Sequence, residues 1–143
     1  MSIRNVIATA CIGVNAVIEL GVGVVYVTAR EIMPYHKEVV GVDWDQLEPG
    51  VRTMLLGFIN AYGSTHFAVG VALSILLLGP MRQGQAWARW AVLCVGLPVV
   101  GGTAYIAARL ASASGAGTPW EGALALLVLF VLGVALFQPK AAA

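Results

Sequence analysis

The stretch NAVIELGVGVVYV, Asn15 to Val27, sets Glu19 in the middle of a run otherwise suited to lipid. A charged side chain at the centre of a bilayer is disfavoured by about 2.5–3.5 kcal/mol on insertion scales, so it faces a protein interior or a watery cavity, protonated or paired. Asn15 stands four residues before Glu19 and Tyr26 seven after it. That spacing keeps all three on one helical face. One side of this helix is therefore polar and is expected to face inward.

A second apolar run carries His66. Counted from the ends of the two runs, Glu19 and His66 fall at matching depth if the helices run in opposite directions, so they are expected to meet. Tyr62 is four residues before His66 and shares its face, while Asn60 and Ser64 form a neighbouring polar edge at about 100° per residue. Gly57, Gly63 and Gly70 line the Asn60 side and let a neighbouring helix approach closely.

An intramembrane carboxylate beside an imidazole can pass protons or clamp the polar head of a lipophilic ligand. The structural alternative is a buried hydrogen-bonded pair that fixes helix register. His36, in MPYHKE beside Tyr35 and Lys37, is expected at the outer interface as a solvated loop histidine or a pH-sensitive gate. A third run places Trp87, Cys94, Pro98, Gly101 and Tyr105 on one face. Pro98 has no amide hydrogen for the Cys94 carbonyl, which water, a ligand or a neighbouring helix must then satisfy.

These residues need a frame, and composition supplies it: 59% hydrophobic residues, 10% charged residues and a mean hydropathy of +0.87 over 143 residues. Soluble domains are typically about 25% charged. A bilayer crossing takes roughly 20 mostly apolar residues, and four such runs are legible, near Val6–Thr28, Val51–Leu78, Ala86–Ala108 and Trp120–Phe137. The expected fold is all-α, a single antiparallel four-helix transmembrane bundle, with helices near 5–29, 45–79, 86–109 and 119–138 and an outer loop near 30–44. The apolar part of the first run exceeds the roughly 7–15 residues of a signal core, so it is read as a retained helix.

Within the loop, Pro34 opens a short helix carrying Tyr35 to Val40, and Asp43 with Gln46 resembles a capping box for a helix starting near Trp44. Gly79-Pro80 reads as the stop of the second long helix. Thr118-Pro119-Trp120-Glu121 reads as N-cap, N1 proline and an N3 acid for the last one. Ala111 to Gly117 reads as a flexible linker without a bulky anchor. Trp44 and Trp120 mark one interface, Trp87 and Trp90 the other. Lys and Arg tie between the two sides. Arg4 and the short PMRQGQAWAR connection, basic and free of acids, favour both termini on the cytoplasmic side of a multi-pass cell-membrane protein.

Several chemistries have no support. Glu31, Glu38, Asp43, Asp45 and Glu48 form an acidic, solvated loop rather than a metal site, because no two-His or Cys ligand spacing accompanies them. Haem is not expected, since bis-histidine ligation needs two ligands at one depth and His66 alone lies within a run. Cys11 and Cys94 form no C-x-x-C pair and read as small apolar packing residues inside the bilayer. No nucleotide loop, nucleophile elbow or nucleic-acid signature is present.

The first span, the outer MPYH segment, the Gly-rich second span and the short basic connection GPMRQGQAWARW together resemble small bacterial four-helix membrane proteins of DoxX-like and uncharacterised type. The resemblance is architectural and covers most of the chain. It implies a fold, and, because some DoxX-like proteins are linked with quinone-dependent sulfur oxidation, a quinone-linked accessory role. Glu19 alone is also similar in placement to the single membrane-embedded Glu in the first helix of small multidrug resistance transporters, which implies proton binding at that residue. The long outer loop and His66 depart from that second pattern.

The expectation is a lipophilic small-molecule site, for a quinone or similar ligand, in a redox accessory protein or membrane-complex subunit. Glu19 and His66 would hydrogen-bond or pass protons to the ligand, and Asn15, Asn60 and Tyr62 would orient it, with His36, Tyr26 and Tyr105 as secondary contacts. Expected partners are the lipid bilayer, a lipophilic ligand and a homo-oligomer or membrane complex. The alternatives are a proton-coupled transporter using Glu19 and a non-catalytic scaffold.

Overall fold

The computed structural model describes residues 2–140, and these are helical with no strand among them. Helix α1 spans Ile3–Val27, α2 Pro34–Val40, α3 Pro49–Leu76, α4 Trp87–Ser114 and α5 Trp120–Leu136. A 3-10 turn, Trp44–Gln46, precedes α3, and a π-helical turn, Leu77–Met81, follows it. Three helical segments, Ile3–Val27, Pro49–Met81 and Trp87–Ser114, are long and apolar enough to cross a membrane, and α5 is a shorter apolar helix.

The long helices carry little amphipathic contrast because lipid tolerates an apolar outer face; what faces inward is selected by size. On α4 the buried stripe is Ala88, Val92, Gly96, Val100 and Ala104 at four-residue spacing. Phe130 of α5 is fully buried against this stripe, and a Cβ at Gly96 would lie 2.3 Å from its ring. At Gly133 a Cβ would lie within 3.0 Å of Cys11 and Ile12 on α1. Small residues thus seat α5 between α1 and α4.

The tightest contact joins α1 to α3. A Cβ added at Gly23 would meet the Phe67 backbone at 2.5 Å, one at Gly63 the Val27 nitrogen at 2.5 Å, and one at Gly70 the Leu20 nitrogen at 2.7 Å. Residue numbers rise along α1 as they fall along α3, so the two helices are antiparallel and Glu19 is carried to the level of His66. Of the glycines expected to make this approach, Gly63 and Gly70 do. Gly57 does not, with no atom within 4 Å of a Cβ there.

The start of α1 and the residues just after α5 lie together. Asn5 donates from Nδ2 to the Gln138 carbonyl at 2.9 Å and accepts the Gln138 N–H at 2.7 Å. Arg89 donates to the Val134 and Ala135 carbonyls at 3.0 and 2.9 Å, satisfying acceptors that the end of α5 leaves open.

Several local expectations are corrected. Pro34 does open α2, but Trp44 begins a single 3-10 turn and α3 starts at Pro49, and Asp43 makes no side-chain cap. Gly79-Pro80 does not stop the second long helix: a π-helical turn absorbs Pro80, and the chain breaks at Gly84, whose φ of 77° suits glycine. Thr118 does not cap α5. Its hydroxyl donates across to the Ala107 carbonyl of α4 at 2.8 Å, and Pro119 occupies the N-cap. The linker is anchored there and at Gly117, whose N–H donates to the Glu38 carboxylate at 2.8 Å. Cys94 is exposed on the outer face of α4, whereas Cys11 is buried as expected.

Candidate functional site

Glu19 and His66 are joined over 2.5 Å, between Oε2 and Nδ1, and each is 4% exposed or less. One proton shared between carboxyl and imidazole leaves the pair neutral overall, whichever atom holds it. Beyond the imidazole, Thr103 Oγ1 lies 3.4 Å from His66 Nε2 and 2.9 Å from the Tyr62 hydroxyl. With that proton between Nδ1 and Glu19, the other ring proton sits on Nε2, which donates to the Thr103 oxygen, and one of the two hydroxyls makes the contact between Thr103 and Tyr62. The Tyr62 ring lies on His66, with centroids 4.1 Å apart, and meets the Tyr26 ring at 5.3 Å.

These groups form the polar end of a cavity of about 660 Å³ between α1, α3, α4 and α5, beneath α2. The rest of its wall is apolar, with Ile18 and Val22 from α1, Phe58 and Ile59 from α3, and Leu126 and Leu129 from α5 among the residues in it. Ligand sites typically combine an apolar cavity of about 300–1,000 Å³ with a few convergent polar groups. Helix α2 covers one end. Its Tyr35 hydroxyl is hydrogen-bonded to that of Tyr26, and His36 lies 4.2 Å from the Tyr35 ring by centroid. Burial raises the Tyr35 phenol well above its ordinary range, and the hydrogen bond with Tyr26 adds to the shift. At neutral pH this tyrosine is therefore an O–H donor.

His36 is half-buried rather than a solvated loop residue. Its Nδ1 accepts the Met33 N–H at 3.3 Å, so the neutral ring carries its proton on Nε2. Burial lowers its pKa below the ordinary value of 6.5. The unfolded chain then binds the proton more tightly than the folded one between the two values. Stability of the α2 cover is thus full above about pH 6.5 and falls as pH drops toward the folded pKa. Backbone amides of α2 are expected to exchange faster at pH 5 than at pH 7 after correction for intrinsic rates, and His36→Gln is expected to remove the difference. An unchanged pH dependence in His36→Gln would assign it to another group.

The sequence-predicted residues divide. Glu19, His66, Tyr62, Tyr26 and His36 all line the cavity. Asn15 is fully buried but lies outside it, with Nδ2 donating to the Cys11 carbonyl at 3.0 Å and Oδ1 unpartnered. Asn60 is also outside the cavity wall, and its buried Oδ1 has no partner either. Neither can orient a ligand there. Tyr105 is 66% exposed and points away, with Trp87 at 55% on the same outer face, so the predicted polar face of α4 is reversed. Thr103 and Tyr35 are the polar residues missed. The signal for Thr103 was the stripe of small residues from Ala88 to Ala104 that it flanks, which marks the inward side of α4 better than aromatic or polar content does.

Outside the cavity, two of the loop acids pair with cations at the surface, Glu31 with Lys37 at 3.0 Å and Asp45 with Arg52 at 3.8 Å. Among the described residues no group of three His, Cys, Asp or Glu side chains is placed to hold a metal. Compared with protein-family models, curated proteins and solved structures, the chain matches none.

Proposed function

We propose that this chain is a multi-pass cell-membrane protein, an antiparallel four-helix transmembrane bundle with both termini cytoplasmic, that binds a lipophilic small molecule of quinone-like chemistry as a redox accessory protein or membrane-complex subunit. The observation that carries the reading is the apolar cavity of about 660 Å³ with the Glu19–His66 pair and the tyrosine hydroxyls gathered at one side of its wall. The fourth crossing is α5, whose 17 residues cover about 25 Å at 1.5 Å per residue, near the roughly 30 Å of a hydrocarbon core. The proton-coupled transporter is less well supported, because His66 already occupies the Glu19 carboxylate that a cationic substrate would need.

The test is thermal unfolding of the purified protein with an uncharged, fully substituted benzoquinone bearing a decyl tail. A ligand at a hundredfold excess over its Kd stabilises by about 2.7 kcal/mol, a rise of roughly 5–10 °C for a chain of this size. The rise is expected to saturate with concentration and to vanish in Ala107→Phe, which fills the cavity from α4. No saturable rise in the wild type, or an equal rise in Ala107→Phe, would refute the site.

A further inference from the structure

The head and the entry route of the ligand can be read from the same cavity, on the assumption that it is a ligand site. We infer that the cavity takes an uncharged amphiphile, loaded sideways from the bilayer through the seam between α1 and α5, with its head at the tyrosines and its apolar tail left in that seam.

Charge decides the head. The titratable residues in the wall are Glu19, His66, His36 and three tyrosines, with no lysine or arginine. Glu19 and His66 neutralise each other, burial disfavours a charge on His36, and the phenol of Tyr35 stays protonated. No unpaired charge is left to offset the desolvation of a cationic or anionic head. What remains is hydrogen bonding. The Tyr26–Tyr35 pair uses one of its two O–H groups internally and leaves the other free, and His36 keeps Nε2–H, so donors are available to a ligand carbonyl. The Tyr62 hydroxyl, which shares a single hydrogen bond with Thr103, keeps hydrogen-bonding capacity for a ligand oxygen. A neutral head carrying carbonyl or hydroxyl oxygens satisfies both.

Exposure decides the route. At the α2 end the Tyr26–Tyr35 hydrogen bond and the Glu38–Gly117 contact hold the cover down. At the sides, exposed residues of the cavity wall lie on two pairs of helices, Val14 and Ile18 of α1 with Gly122 and Ala125 of α5, and Phe58 of α3 with Ile106 of α4. The second pair presents large side chains. In the first, α5 presents no bulk, and a Cβ at Gly122 would meet no atom within 4 Å. The first seam is therefore the less obstructed of the two, on a surface suited to lipid.

The test uses the full-length chain in nanodiscs and two photoactivatable probes with the same diazirine-bearing decyl tail. One ends in an uncharged, fully substituted benzoquinone and the other in trimethylammonium. The quinone probe is expected to label α1 and α5 along their seam saturably, the ammonium probe at least tenfold less. Gly122→Phe is expected to cut quinone labelling at least tenfold, with Ala125→Leu as a smaller plug should the first variant melt early. Tyr105→Leu, on the outer face of α4 away from the cavity, is expected to leave it within twofold. Labelling that both plugs leave unchanged, or that Tyr105→Leu abolishes equally, overturns entry between α1 and α5. Equal labelling by the ammonium probe overturns the uncharged head. Absence of saturable labelling by either probe would instead defeat the ligand site itself.

Discussion

His66→Ala is expected to destabilise the protein by about 3–5 kcal/mol, because it leaves the buried Glu19 carboxyl without its partner. Desolvating an ionised carboxylate is costly, and the 2.5 Å contact with the imidazole is what offsets it. The same reasoning predicts that replacing both partners costs much less than replacing one. Buried ion pairs exchanged for apolar side chains of similar volume are often neutral or stabilising, so Glu19→Leu combined with His66→Leu is expected to recover most of the loss. Thermal unfolding in one detergent for the wild type, the two single leucine variants and the double variant closes a cycle. Its coupling energy is expected to exceed about 2 kcal/mol. Additive losses would show that the pair is not energetically coupled. A stable double variant that no longer gains stability from the quinone would separate binding from folding, since a scaffold role for the pair predicts no change in ligand response.

Gly63→Val is the second large effect, and it acts through the frame. The added Cβ would sit 2.5 Å from the Val27 nitrogen and 2.7 Å from the Tyr26 Cβ. Backbone cannot rotate aside as a side-chain tip can, so α1 and α3 must separate. Overpacking of this kind typically costs about 1–3 kcal/mol, and the upper end is expected because main-chain atoms are the obstacle. The damage should reach the site, since His66 is one helical turn from Gly63 and Tyr26 itself forms part of the cavity wall. Gly57→Ala is the matched control. It lies on the same helix with open space around its Cβ, so relief of glycine's backbone entropy should leave stability unchanged or raise it by up to about 1 kcal/mol. Unfolding temperatures of the two variants decide the matter. A mild Gly63→Val or a severe Gly57→Ala would mean that the close approach of α1 to α3 is not as described.

The two variants separate energetic roles that the sequence alone could not. Gly57, Gly63 and Gly70 look equivalent at the level of composition. Two of them sit beneath α1 and the third faces open space, because α1 ends at Val27, which lies at Gly63, and does not reach Gly57. Asn15 and Asn60 show the same limit for polar residues: both are at plausible depths, and both bury an amide oxygen without turning it into the cavity.

Hydropathy, helix periodicity and the rarity of a carboxylate in an apolar run were enough to anticipate the helical class, the meeting of Glu19 with His66 and, of the four spans expected, the three that are long and apolar enough for a membrane. Those features depend on length, on the 3.6-residue repeat and on the cost of an unpaired charge in lipid, all local properties of the chain. Local grammar failed where a neighbour supplied the deciding contact. Thr118 was drawn from its capping position to a carbonyl on α4, Pro80 was absorbed into a π-helical turn, and α4 turned its small residues inward and its aromatic ones out. In lipid both faces of a helix can be apolar, so hydropathy does not say which face turns inward. Close packing of small against large residues does, and it was packing in three dimensions that brought Thr103 and Tyr35 to the cavity and sent Tyr105 to the surface.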